Sequence, residues 1–184
     1  MKMIYRVSAV ILAVALSLFF SVAYAKNPYP ETLDDGNLVL VSGHMGSGYY
    51  ADMSSVEVYQ YAPPHYQIAI KVFLITFSDE NFRQNHSFID APYTIEGPAT
   101  VLFRYNWDDK TIAWHSHRDD TWIEWDINRD NSYADGWPLI PCTAEAAFVA
   151  AYNMRFFDDT EGYSPALKKT RRVIEESFYE RLGI

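Results

Sequence analysis

The run "YQIAIKVFLITF" (66–77) constrains the fold more than any other stretch of this chain. A β-strand turns successive side chains to opposite faces. Here Ile68, Ile70, Val72 and Leu74 share one face, while Ala69, Phe73, Ile75 and Phe77 share the other. Neither face can be left to water, so the segment is expected to be a central strand covered on each side.

Its neighbours read as further strands. "NLVLVS" (37–42) is rich in branched residues and meets the turn "GHMGSG", whose glycines permit positive φ. "YYADMSSVEVYQY" (49–61) carries strand residues on both sides of a polar step, Asp52 to Ser55, and stops at Pro63-Pro64. Neither proline can donate to a sheet ladder. Beyond the central strand and a polar stretch (78–98), "ATVLFRYNW" (99–107), "TIAWHSH" (111–117) and "TWIEWD" (121–126) follow, joined by the short turns "DDK" and "RDD". That is a three-stranded meander.

After a loop over 127–142 the character changes. "CTAEAAFVAAYNMRFF" is alanine-rich, with Phe148, Ala151 and Tyr152 at helical spacing and Thr143 as its expected N-cap. "SPALKKTRRVIEESFYERLG" has Ser164 at N-cap, Pro165 at the first helical position, Gly183 past the end and a stripe of Leu167, Ile174, Phe178 and Leu182. Strands first and helices last give the expected class, α+β: an antiparallel β-meander of about six strands with two C-terminal α-helices packed on one face.

The first 25 residues read as a signal peptide. Lys2 and Arg6 precede the apolar run 7–20, and Ala23-Tyr24-Ala25 supplies a small-x-small cleavage site. The run is short for a membrane span, which needs about 20 apolar residues. Cleavage after Ala25 would leave one domain, 26–184, of a size that buries a real core. It would take the formal net charge from −9 to −11, because Lys2 and Arg6 leave with the leader. Such a charge argues against nucleic acid and against anionic membrane surfaces as partners. No cysteine stands at the cleavage point to carry a lipid, so the expected destination is the periplasm or the exterior, with no membrane span after processing. Cys142 is the lone cysteine, so no internal disulfide can form. With no neighbouring His or Lys it reads as a small buried hydrophobe.

Two constellations invite a metal reading. In "AWHSHRDDTWIEW" (113–125), His115 and His117 are about 6.6 Å apart along one strand face, with Asp119 following. Two imidazoles so placed can share a zinc if a third ligand arrives from elsewhere. A His-x-His-x-Asp-His signature of metallo-β-lactamase-type hydrolases is not met, because its last position is Asp120 and no histidine follows. The simpler expectation has Ile112 and Trp114 facing inward and both histidines facing water. In "DINRDNSYADG" (126–136), Asp126, Asn128 and Asp130 occupy positions 1, 3 and 5 of a calcium loop. Its required glycine is Asn131 and its required glutamate is Trp137. We expect no metal, no other cofactor and no catalytic residue. No nucleophile elbow, phosphate-cradling glycine loop or His-Glu-x-x-His is present.

The stretch "NLVLVSG…GYYADMSSVEVYQYAPPHYQIAIKVFLITF", with its Tyr49-Tyr50-Ala51-Asp52-Met53-Ser54-Ser55-Val56 step, resembles small secreted bacterial proteins with a surface-adhesin-E-like domain. The later part, "FRYNWDDKTIAW…WIEWD…EAAFVAAYNMRFF", is similar to exported proteins of diderm Firmicutes. The resemblance implies binding to an extracellular protein and carries over no individual binding residue. The expected function is therefore an exported, non-enzymatic binding protein with a protein or glycan partner. The competing readings are a small secreted hydrolase using His115, His117 and nearby carboxylates, and a carbohydrate-binding module with a coplanar aromatic face.

Overall fold

The computed structural model describes residues 27–125, 139–164 and 168–184. Seven strands form one antiparallel sheet in strict sequence order: β1 (Thr32–Leu33), β2 (Leu38–His44), β3 (Ser47–Ala62), β4 (His65–Phe77), β5 (Tyr93–Asn106), β6 (Thr111–Ser116) and β7 (Thr121–Trp125). A helix, α1 (Asp79–Asn85), joins β4 to β5. A second helix, α2 (Leu139–Tyr152), is followed by a two-stranded hairpin, β8 (Glu161–Ser164) with β9 (Lys169–Arg172), and a short helix, α3 (Glu176–Leu182). The α+β class and the meander are as expected. The sheet has one strand more than anticipated, the two-residue β1, and the polar stretch 78–98 holds α1 and the first half of β5.

β4 is the fourth of the seven strands, and its two apolar faces enter two cores. Ile68, Ile70 and Val72 join the larger cluster, with Phe103, Tyr105 and Ile112 from β5 and β6. Ile75 and Phe77 point the other way, into a smaller cluster with Tyr29, Leu40, Tyr50 and Phe88. In α2, Pro141 through Val149 are all buried, so its alanines mark a helix enclosed by protein rather than one with a wet face. The Tyr105 hydroxyl donates to the Ala144 carbonyl at 2.9 Å, and the Phe148 ring lies 5.4 Å from that of Tyr66.

Two irregularities shape the sheet. At Asp52–Glu57 the β3–β4 ladder slips. There Ser54 donates from its N–H and hydroxyl to the Asp52 carboxylate, and the Ser55 hydroxyl oxygen accepts the Lys71 N–H at 2.9 Å. The polar step seen in the sequence is thus a bulge whose side chains replace ladder bonds. At Gly97-Pro98 the β4–β5 ladder slips by one residue, between the pairs Val72↔Ala99 and Leu74↔Glu96. Gly97 has φ +112, which L side chains avoid, and Pro98 has no N–H to lose.

Three expectations fail. The helix anticipated from Ser164 begins only at Glu176; Ser164 ends β8, and Lys169–Arg172 form β9. Lys168, Lys169, Arg171 and Arg172 would have crowded the positive end of a helix dipole. In the hairpin Arg172 gains opposite charges instead: Glu161 sits across from it, and its guanidinium reaches Asp159 and Glu176. Thr143 does not cap α2, which starts four residues earlier, so the expected loop 127–142 ends sooner. The Thr143 hydroxyl donates back to the Leu139 carbonyl at 2.6 Å inside the helix. Gly183 does terminate the last helix, at φ +80.

Candidate binding site

The histidine pair sits on the β6–β7 hairpin, on the face opposite Ile112 and Trp114 as expected. Ile112 is buried, and Trp114 is half-buried against the larger core. The rings of His115 and His117 are 5.2 Å apart. Only His117 faces water; its Nε2 lies 3.1 Å from the Thr100 carbonyl. His115 is 18% exposed, contrary to expectation, because register places Trp122 directly across from it and the two rings meet edge to face at 5.1 Å. Its Nε2 lies 3.2 Å from the Asp120 carboxylate. Asp119 turns toward the Ser116 hydroxyl, 3.5 Å away. Arg104 lies 3.7 Å over the Trp122 ring, so a guanidinium already occupies this face. No group of three or more His, Cys, Asp or Glu side chains converges on a metal position among the described residues. Asp126, Asn128 and Asp130, the calcium-loop candidates, lie outside the described residues.

Cys142 is buried in α2, and burial pushes its thiol up to about 12, out of reach of thiolate chemistry at neutral pH. Glu145, one turn on, is the ionisable group that sequence reading passed over. It is fully buried, and its carboxylate accepts the N–H groups of Phe156 at 2.8 Å and Phe157 at 3.1 Å. Loss of water pushes it up to about 7 despite those bonds and despite Lys110 nearby. The signal was present as one acid inside the apolar run "AEAAFVAA". Glu145 is a structural clasp on the turn after α2, closed off from any substrate.

A cavity of about 250 Å³ opens between the larger-core face of the sheet and the first turn of α2. Val72, Leu74 and Phe103 form its floor; Leu139, Ile140 and Thr143 form the helical wall. Tyr49, Glu96 and Ala99 stand at its rim. Gly97 of the Gly97-Pro98 bulge lies in its lining, where the β4–β5 ladder slips. The Thr143 hydroxyl is spent on the Leu139 carbonyl, which leaves a nearly wholly apolar lining. A second, shallower hollow of about 340 Å³ is lined by Trp107, Lys110, Met154, Arg155 and Asp158. There the Lys110 ammonium lies 3.3 Å over the Trp107 ring, while Arg155 is held by Glu176 and the Ile184 carbonyl. The aromatic cluster Tyr61, Tyr66 and Tyr152 nearby is not a flat platform, since its rings meet at 51°, 60° and 70°.

No family model matches the chain, and no curated protein or solved structure matches it either. No described helix is long and apolar enough to cross a membrane.

Proposed function

We propose that this is an exported protein of the bacterial envelope or exterior that acts by binding rather than catalysis, and that its binding site is the apolar cavity between the sheet and α2. In this reading both C-terminal helices, α2 and α3, cover one face of the sheet, and the cavity is the seam left beside the bulge. The observation that carries the proposal is a concave, nearly wholly apolar recess whose one charged residue, Glu96, stands at its rim, the usual form of a small-ligand site. Its volume lies just under the common range for such sites, which suits a short chain or a single ring. The likeness to adhesin-E-like secreted proteins agrees with a binding role, and a protein or glycan at the cell surface is the kind of macromolecule that would present such a group.

The test is calorimetric titration of the purified chain with a small neutral single-ring hydrophobe such as toluene, alongside the Ala99→Phe variant. Ala99 is an exposed rim residue, so a ring placed there should fill the cavity without unfolding the sheet. Saturable binding that the variant loses supports the proposal. Absence of saturable binding, or equal binding by the variant, refutes it.

A further inference from the structure

From the rim of this cavity we infer the ligand class: a short apolar chain or ring ending in an ammonium group. The inference rests on the binding reading above and deepens it.

The sheet register makes the argument. Tyr49 of β3 and Glu96 of β5 are both paired with Leu74 of β4. Directly paired residues share a face, so the three side chains stand in one row, with Leu74 as the floor between two rim groups. Strands are about 4.8 Å apart, which sets the two outer backbones about 10 Å from one another. That gap admits one small head group over Leu74, flanked by a carboxylate on one side and a phenol ring on the other. In the next row Val72 continues the apolar floor inward toward Phe103 and the Leu139–Ile140 wall, with its partner Ala99 at the rim.

Glu96 is the cavity's single charged lining residue. No ion pair engages it among the described residues, although ion pairs hold Arg155 and Arg172 elsewhere on the surface. A carboxylate at the mouth repels an acid and favours a cation. The aromatic face of Tyr49, 38% exposed at the same mouth, adds the attraction that rings offer to ammonium groups. Inside, the Thr143 hydroxyl is the one polar side chain of the lining and its proton is committed to Leu139, so the rest of the ligand is expected to be largely hydrocarbon. At about 30 Å³ per water-sized unit, the cavity holds about eight non-hydrogen atoms.

The experiment uses three ligands of equal chain length: octyltrimethylammonium, octan-1-ol and octanoate, each titrated below its aggregation concentration by calorimetry. The expected order is ammonium first, alcohol second and carboxylate weakest. The ammonium should lead the alcohol by about threefold, the scale of one exposed charge contact. In Glu96→Gln that lead should shrink toward equality while octanol binding stays put, and the exposed position should leave the melting temperature unchanged. Binding of all three without preference, each abolished by Ala99→Phe, would overturn the ammonium inference and leave the cavity reading standing. Failure of every ligand to bind the unaltered chain, or binding indifferent to Ala99→Phe, overturns both.

Discussion

Glu145 gives the residue scale its sharpest test. Its carboxyl rises from the ordinary 4.5 to about 7 because burial penalises the charge. Below about pH 4.5 the group is protonated in folded and unfolded chains alike. Between that value and about 7 the folded chain keeps the proton that the unfolded chain has released. Its contribution to stability is therefore complete in acid and is lost as pH rises through 7, by about 3 kcal/mol in all. Glu145→Gln removes the titration, so the stability gap between native chain and variant should narrow in acid and widen by that amount above neutrality, in the variant's favour. Urea melts at several pH values measure it, and a gap independent of pH would refute the assignment. The histidines separate in the same assay. His117→Ala should cost under about 0.5 kcal/mol, as an exposed position does. His115→Ala strips a ring packed on Trp122 and should cost about 1 kcal/mol. Trp114→Ala, at the edge of the larger core, should cost about 3 kcal/mol. A His115→Ala cost equal to that of His117→Ala would mean the Trp122 contact is empty of energy.

At the scale of elements, the sheet could be read from sequence because its information is local. Apolar residues on both faces of 66–77 demand a central position, and turns as short as "DDK" and "RDD" leave each strand no neighbour but the next. The last helix was misread because its end signals, Ser164-Pro165 and Gly183, were sound as chemistry while the segment between them answered to distant charges. Asp159, Glu161 and Glu176 draw Arg172 into the hairpin, and no helical period records that. Arg172→Ala should cost about 1 kcal/mol, since both partners are half-exposed or more, and high salt should erase much of the difference. The cavity was out of reach for another reason. Tyr49, Glu96 and Leu139 come from three separate elements, and none carries a motif. The Gly97-Pro98 pair was the available clue, a glycine and a proline inside what proved to be a strand. Gly97→Ala should destabilise by about 1–3 kcal/mol, because φ +112 is strained for alanine and its Cβ would sit 3.3 Å from the Val72 carbonyl. Thermal melts check this, and a neutral substitution would show that the bulge relaxes freely.

For the whole molecule the question is where the folded domain begins relative to the proposed signal peptide. The smaller core is closed by the chain's own beginning. Tyr29 is 7% exposed, with its ring 5.0 Å from Phe88 and its hydroxyl accepting the Gly46 N–H at 3.0 Å. Gly43 lies so close that an added Cβ would stand 2.6 Å from the Tyr29 ring, so the seat was shaped for that ring. The Pro28 carbonyl accepts the Phe88 N–H at 2.7 Å, and Glu31 accepts from Leu40. Pro28, Tyr29, Pro30 and Glu31 are thus held by the fold, while the proposed cleavage after Ala25 stops just short of them. Processing there would free the apolar run without touching the core. Cleavage even a few residues later would delete Tyr29 and uncover Phe77 and Phe88. Two measurements follow. N-terminal sequencing of exported protein should begin at Lys26, and recovery of the uncut leader in a membrane pellet would make it an anchor instead. Tyr29→Ala should leave the proposed cut in place, since the proposed signal lies upstream, yet lower the stability of the domain by about 3–4 kcal/mol. If the variant proved as stable as the native chain, the smaller core would not depend on its first residues, and the spacing between leader and fold would carry no meaning.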